Sequence, residues 1–308
     1  MPKREFLTTP LSGLNQRLDI FLSERIDRLT RSQIQRFIEE KRVKVDGIAR
    51  KSSYNLKSGE KVEIEYELAV PQEIQPENIP IEILYSDDHL AIIDKPPGLV
   101  VHPGAGKRQH TLINTLLYHF PDLKEVGPEE RPGIVHRLDK ETSGLMVVAR
   151  RLKAYELLQK QFRKREVEKI YLGLVWGRMP EKEGKISWPI GRHVKHGERI
   201  SVKTKKPREA KTYYSVQKEY EDFSFLEIKP LTGRTHQIRV HMAASGHPLV
   251  GDTRYGRRKS KPGIQRLFLH ASRLSFIHPD TQEKVEFSSP LPPELKIFLD
   301  KLEEEKKS

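Results

Sequence analysis

Gly133-Ile-Val-His136-Arg137-Leu138-Asp139-Lys140-Glu141-Thr142-Ser143-Gly144-Leu145-Met146-Val147-Val148-Ala149-Arg150 is the stretch on which the reading of this chain turns. It sets Asp139 between two apolar runs, Ile134-Val135 before it and Leu145 to Ala149 after it. Apolar runs bounded by glycine read as buried strands. Asp139 is therefore expected on a short polar connection that two core elements hold in place. Arg137 and Lys140 flank it. For an isolated turn aspartate the ordinary reading is a solvated residue paired with a neighbouring arginine. The rest of the chain has to say whether more is meant.

Charge is spread unevenly around this stretch. The 308 residues carry a formal net charge of +13. Residues 71–130 hold four Lys/Arg against ten Asp/Glu, residues 131–170 hold eleven against five, and residues 178–211 hold eleven against four. From Arg254 to Arg273 there are seven basic residues and no acidic one. A merely solvated surface mixes signs, so clustered excess points to a phosphate backbone as partner. An anionic membrane is the other broad candidate, but no segment approaches the eighteen or so apolar residues of a spanning helix. The N-terminal Met-Pro-Lys-Arg-Glu-Phe-Leu is too short and polar for a secretory signal. With no cysteine in the chain, disulfides and thiolate metal sites are excluded. A cytoplasmic protein that handles nucleic acid is the simplest expectation.

His136-Arg-Leu-Asp139 followed by Glu141-Thr-Ser-Gly-Leu145 resembles the signature of the RluA-type pseudouridine synthases. Three further stretches at compatible spacing share the resemblance. They are Asp94-Lys95-Pro96-Pro97-Gly98-Leu99-Val100-Val101-His102-Pro103-Gly104, Lys169-Ile170-Tyr171, and Gly233-Arg234-Thr235-His236-Gln237-Ile238-Arg239-Val240-His241. An ordered match over about residues 75–290 is far more specific than one short motif. Val101 to Gly106, Pro189-Ile190-Gly191-Arg192-His193 and the N-terminal module look most like the RluD-like branch, which modifies large-subunit ribosomal RNA. Arg150-Arg151 departs from the Lys-Thr commoner in the family and keeps a positive charge.

Residues 1–70 read as a separate small αβ module. Leu18, Phe21, Leu22 and Ile26 recur at helical spacing, and Thr30 with Gln33 forms a capping box ahead of Ile34, Phe37 and Ile38. Val43 and Val45 alternate with polar residues, Asp46-Gly47 supplies a hairpin turn, and Lys61 to Tyr66 alternates as a strand. With Arg28, Arg31, Arg36, Lys41, Arg42 and Lys44 clustered, the module resembles the small RNA-binding domain first recognised in a small-subunit ribosomal protein. Arg42 and Lys44 are its expected RNA contacts. Residues 71–80 read as a linker, residues 81–292 as the catalytic domain, and residues 293–308 as a charged C-terminal helix or tail. In the large domain, runs near Leu90–Ile93, Leu145–Val148, Leu172–Val175 and Phe225–Ile228 read as strands, and Thr111–Phe120 and Leu152–Lys164 as helices. Strand and helix do not alternate regularly, so a doubly wound parallel sheet is disfavoured. The expected fold class is α+β with a mixed, mainly antiparallel sheet.

Other motifs fail. Gly104-Ala-Gly106-Lys107 invites a phosphate-loop reading, but Val101 stands where the first glycine belongs and Arg108 where Ser or Thr belongs. His236 and His241 invite a metal, but no carboxylate lies between them, and Arg234 and Arg239 oppose a cation. No cofactor fingerprint is present, and no cofactor or metal is expected.

Pseudouridine formation is an isomerisation, which suits a chain without cofactor motifs. By the resemblance, Asp139 is the catalytic aspartate, acting either as a nucleophile or as a base that forms an unsaturated sugar intermediate; the sequence does not choose. Either role needs the ionised carboxylate, which a nearby guanidinium favours. Arg239 matches the family's arginine that pairs with the aspartate, and Tyr171 the tyrosine that stacks on the target base. The target must be flipped out of the RNA, at a few kcal/mol of unstacking; Arg137 matches a position thought to fill the vacated space. Lys169, Arg234 and Leu269 complete the expected substrate contacts. His102, His136 and His236 receive no proton-transfer role, each reading equally well as a structural histidine. The expected partner is large-subunit ribosomal RNA or an assembly intermediate of the ribosome, bound by a monomer. Transfer RNA as substrate, or a ribosome-associated binding protein without chemistry, are the alternatives.

Overall fold

The computed structural model describes residues 3–10, 15–66, 74–102, 109–194, 199–256, 264 and 266–307. The chain divides into two compact units, Met1–Glu73 and Ile74–Ser308.

In the first unit the elements run β1 (Lys3–Thr8), β2 (Gln16–Arg17), α1 (Leu18–Arg25), α2 (Arg31–Glu39), β3 (Val43–Val45), β4 (Ile48–Ala49), β5 (Asn55–Leu56) and β6 (Lys61–Tyr66). β1, β6, β3 and β4 form an antiparallel sheet in that order. Val62, Ile64 and Tyr66 alternate inward along β6 and meet Ile34, Phe37 and Ile38 of α2 in one core, as a period of two against a period of 3.6 requires. The Thr30–Gln33 capping box is formed in both directions. β1 was not foreseen, because its Lys-Arg-Glu-Phe-Leu-Thr carries little apolar signal and is ordered through its ladder with β6. Much of the expected basic face is internally paired. Arg31 and Arg17 both bind the fully buried Asp19, and Arg36 and Arg42 lie 3.6 and 3.8 Å from Glu40. Lys44 points outward from an exposed position on β3.

In the second unit the elements are β7 (Glu82–Ser86), β8 (Leu90–Lys95), α3 (Leu112–His119), β9 (Ser143–Ala149), α4 (Leu152–Lys164), β10 (Glu168–Trp176), β11 (Glu183–Ile186), β12 (Gly191–Arg192), β13 (Ile200–Ser201), β14 (Thr212–Glu219), β15 (Phe223–Pro230), α5 (Gln237–Ala244), β16 (Leu269–Ile277), β17 (Lys284–Ser288) and α6 (Pro293–Lys307). One large sheet has the order β11-β14-β15-β10-β16-β9-β8-β7, with β17 also on β16. Its neighbours are antiparallel except β9 and β16, which run parallel through Ser143–His270 and Gly144–Ala271. The fold is thus α+β with a mixed, mainly antiparallel sheet. Every residue of β9 is buried, which explains its unbroken apolar run.

Three expectations are adjusted. Ile134-Val135 is not a strand; after Pro132 and a turn, Ile134 makes one isolated bridge to Val148. Within the expected linker 71–80, residues 71–73 lie outside the described residues. From there on Ile74 is buried in the second unit's core, and Asn114 donates to the Gln75 carbonyl at 2.8 Å. The C-terminal helix is no mere tail. Leu295, Phe298, Leu299 and Leu302 bury a stripe against Leu174, Phe223 and Phe268. Phe298 sits 6.4 Å from both Phe223 and Phe268, ring centre to ring centre. Phe298→Ala should cost about 3–4 kcal/mol of unfolding free energy, read from a denaturant melt; a cost below about 1 kcal/mol would return α6 to the status of a solvated tail. Among the described residues no helix is long and apolar enough to cross a membrane.

Candidate active site

The loop that carries Asp139 is held from below by a lysine. Lys95, at the end of β8, has no solvent exposure. Its Nζ donates to the carbonyls of Pro96, Leu99 and Lys140 at 2.7, 3.0 and 3.1 Å. Burial pushes its pKa down to about 7, against the pull of Glu141 and Asp139. Three carbonyl acceptors nevertheless use all three N–H groups of an ammonium, and a neutral amine has only two, so the charged form fits this cradle. The Gly98 N–H also donates to the Lys140 carbonyl, at 2.8 Å. Two turns distant in sequence, 96–99 and 139–142, are thereby tied together beside the start of β9. The Pro103, Gly104 and Lys107 positions of the neighbouring motif lie outside the described residues.

Opposite this loop stands α5. Gln237 anchors its start: its Oε1 accepts from Thr232 Oγ1 and the Arg234 N–H, and its Nε2 donates to the Lys211 carbonyl. His236, in the left-handed region at φ 54°, precedes the first turn. This entry angle aims His236 and Arg239 at the Asp139 loop. Arg239 Nη1 lies 3.6 Å from Asp139 Oδ2, and His236 Nε2 lies 3.8 Å from Oδ1. Arg239 and Asp139 keep only 8% and 15% of their side-chain exposure, so the contact works at reduced solvent screening.

Arg239 has a closer partner that the sequence reading did not name. Its Nε and Nη2 donate to Asp252 Oδ2 and Oδ1, both at 2.8 Å. Burial opposes the Arg239 charge, but the Asp252 hydrogen bonds outweigh it and raise the guanidinium pKa. The same pair holds the Asp252 carboxyl below its usual range despite burial. The available signal was positional: Asp252 is the last acidic residue before the all-basic run 254–273. Tyr255 was missed as well. Its ring lies 5.2 Å from the Arg239 guanidinium, and its hydroxyl meets His236 Nδ1 at 2.8 Å.

Tyr171 is buried on β10, where the ladder to β16 shifts register between Ile170 and Tyr171. Burial, with a smaller push from the Asp139 charge, raises its pKa and keeps the phenol neutral. Tyr171 and Asp139 line one cavity of about 550 Å³ together with Arg137, Lys169, Arg234 and Leu269. Arg137 is exposed and meets His102 Nε2 at 3.1 Å. Lys169 lies 5.8 Å over the Phe162 ring, and its burial lowers its pKa. His136 is structural: it stacks on Phe162 at 4.6 Å and accepts the Val147 N–H, and burial pushes it down to about 3. Both ring nitrogens of His241 are engaged, by Thr212 Oγ1 and the Trp188 carbonyl, which leaves no lone pair for a metal. Arg42 and Lys44 belong to the first unit.

A family model for RNA pseudouridylate synthase matches residues 89–244, the span that supplies Asp139, Tyr171 and Arg239. The chain belongs to the RNA pseudouridylate synthase family. A model of the S4 domain matches residues 16–62. This synthase is 43% identical to an Aquifex aeolicus protein described as an uncharacterized RNA pseudouridine synthase, over 97% of this chain and 98% of that one. It is 42% identical to ribosomal large subunit pseudouridine synthase D of Nitrosomonas europaea, over 95% of this chain and 86% of that one. Among solved structures, human RNA pseudouridylate synthase domain containing 1 aligns with TM-score 0.60 at 29% identity, covering 75% of this chain and 96% of that one. The chain thus joins an RNA pseudouridylate synthase domain to an N-terminal S4 domain.

Proposed function

We propose that this synthase converts specific uridines of large-subunit ribosomal RNA to pseudouridine, with the target base flipped into the cavity and Asp139 at its sugar. One arrangement carries the reading: a carboxylate, a guanidinium and a tyrosine converge on a single cavity of about 550 Å³, within the size range of small-molecule sites. In the reaction the bond from ribose C1′ to uracil N1 breaks and a bond from C1′ to C5 forms. The proton on C5 is lost to solvent, and N1 gains one. Asp139 acts on the sugar, either by attack at C1′ or by removing a proton to give an unsaturated sugar. Arg239, on the opposite wall, brings a guanidinium nitrogen to 3.6 Å from the carboxylate.

Tyr171 offers an aromatic face to the extruded uracil; such stacking is worth about 1–3 kcal/mol per base. Arg137, exposed at the rim, takes the space that the base leaves. Lys169 and Arg234 at the cavity and Arg42 and Lys44 on the S4 domain hold phosphates, which position the RNA without reading its sequence. Two kinds of support favour ribosomal RNA: the large-subunit function in the names of several near full-length relatives and the S4 domain.

The test is to incubate purified enzyme with naked large-subunit RNA and, separately, with transfer RNA, both labelled with tritium at uracil C5. Tritium release and mass-resolved mapping then locate the product. The expected result is complete conversion at a few discrete positions of the large-subunit RNA. Conversion confined to transfer RNA would replace the substrate assignment, and release from neither would remove it.

A further inference from the structure

The site proposed above leaves Asp252 without a role, although it is the strongest partner of Arg239. We propose that Asp252 is a positioning residue for the reaction: it clamps Arg239 side-on so that a single nitrogen, Nη1, is left to face Asp139. This inference rests on the reading of Asp139 and Arg239 as the reacting pair and adds the reason for their geometry.

The hydrogen bonds are complementary to the last atom. Asp252 keeps about 1% of its side-chain exposure. Its Oδ1 accepts from Arg239 Nη2 at 2.8 Å and from the N–H groups of Arg254 and Tyr255 at 2.9 and 3.0 Å. Its Oδ2 accepts only from Arg239 Nε among these donors, at 2.8 Å. The two parallel bonds fix the plane of the guanidinium. They occupy Nε and Nη2, and Nη1 then points at Asp139 Oδ2 from 3.6 Å. Tyr255, whose backbone is held by that same Oδ1, closes one face of the guanidinium at 5.2 Å. Its hydroxyl fixes His236 Nδ1 at 2.8 Å, leaving His236 Nε2 toward Asp139 Oδ1. The two groups that flank Asp139 are therefore both registered from the 252–255 turn. A buried charge pair would not need this directional fork merely to be neutral, because a lysine could neutralise Asp252 as well.

Oδ1 and Oδ2 have separable duties, and that makes a clean variant. In Asp252→Asn the amide oxygen can remain at the Oδ1 position and keep the turn, while an NH₂ group replaces Oδ2 against the Nε–H. The clamp loses one arm and the turn keeps its acceptor. We expect the single-turnover rate of tritium release from large-subunit RNA to fall about 30- to 100-fold, with RNA affinity changed less than about threefold. Arg239→Lys should fall by at least as much. The deciding measurement is the double variant Arg239→Lys/Asp252→Asn. If Asp252 acts through Arg239, the double variant is no worse than about threefold below Arg239→Lys alone; if Asp252 only supports the fold, the two losses multiply.

Full activity in Asp252→Asn, or multiplying losses, would overturn the proposal and leave the reading of Arg239 standing. Full activity in Arg239→Lys would instead strike that reading itself. Should Asp252→Asn prove too unstable to assay, Asp252→Glu keeps both oxygens but displaces them by one methylene. It is expected to fold and to lose rate by a similar factor, and a wild-type rate would overturn the clamp.

Discussion

Asp139→Asn is expected to abolish pseudouridine formation, lowering the single-turnover rate by at least about 10,000-fold, with RNA affinity within about threefold of the parent. Asparagine has the shape of aspartate but can neither attack a sugar carbon nor take a proton, so both routes open to Asp139 are lost together. The surroundings predict that little else changes. The side-chain oxygens of Asp139 meet Arg239 and His236 only at 3.6 and 3.8 Å, beyond good hydrogen bonds. Arg239 keeps its clamp to Asp252, and the loop keeps its cradle on Lys95. Melting temperature should therefore move by no more than about 2 °C, since a loss of ~0.5 kcal/mol shifts it that little. An Asp139→Asn enzyme that retained a tenth of the parental rate would end the assignment of this carboxylate to the chemistry.

The largest expected effect on stability belongs to Gly144→Ala. Gly144 has φ +115°, and a Cβ built there would stand 2.3 Å from the Ala271 carbonyl oxygen and 2.6 Å from its nitrogen. Those atoms are backbone of β16, at one of the two residue pairs through which β9 and β16 join. Backbone strain and overpacking add, so a cost of about 3–5 kcal/mol is expected, or roughly a 10 °C fall in melting temperature. Gly233→Ala is the control: nothing lies within 4 Å of its Cβ and its φ is not positive, so its melting temperature should stay within about 2 °C. Equal behaviour of the two variants would mean that the β9–β16 junction tolerates separation.

What could be read from the sequence follows from the range of each interaction. The capping box at Thr30 and Gln33, the alternation along β6 and the buried run of β9 are local patterns, and all three hold in the structure. Tyr171, Arg239 and Asp139 were legible because each sits in a short motif, and the structure brings them to one cavity. Asp252 was not, because its meaning lies in a contact across 13 residues that no periodicity marks. β14 and β17 carry no clear signal because they mix polar and apolar residues on half-exposed faces, and the largely buried β16 carries none because His270, Ser272, Arg273 and Ser275 interrupt its apolar residues. The basic cluster of the first unit was visible as composition, but Arg31 turns out to serve Asp19, which charge counting does not reveal.

The place of β16 also bears on how the enzyme is made. This strand joins the sheet between β10 and β9, yet it is built from residues 269–277 of 308. During synthesis β9 and β10 wait with unpaired edges until residues 269–277 have left the ribosome. Distant pairings of this kind slow folding and leave edges open to wrong partners. A nascent chain halted before β16 carries the Asp139 loop ahead of β9 and Tyr171 on β10, with no strand yet between the two to bring them to one cavity.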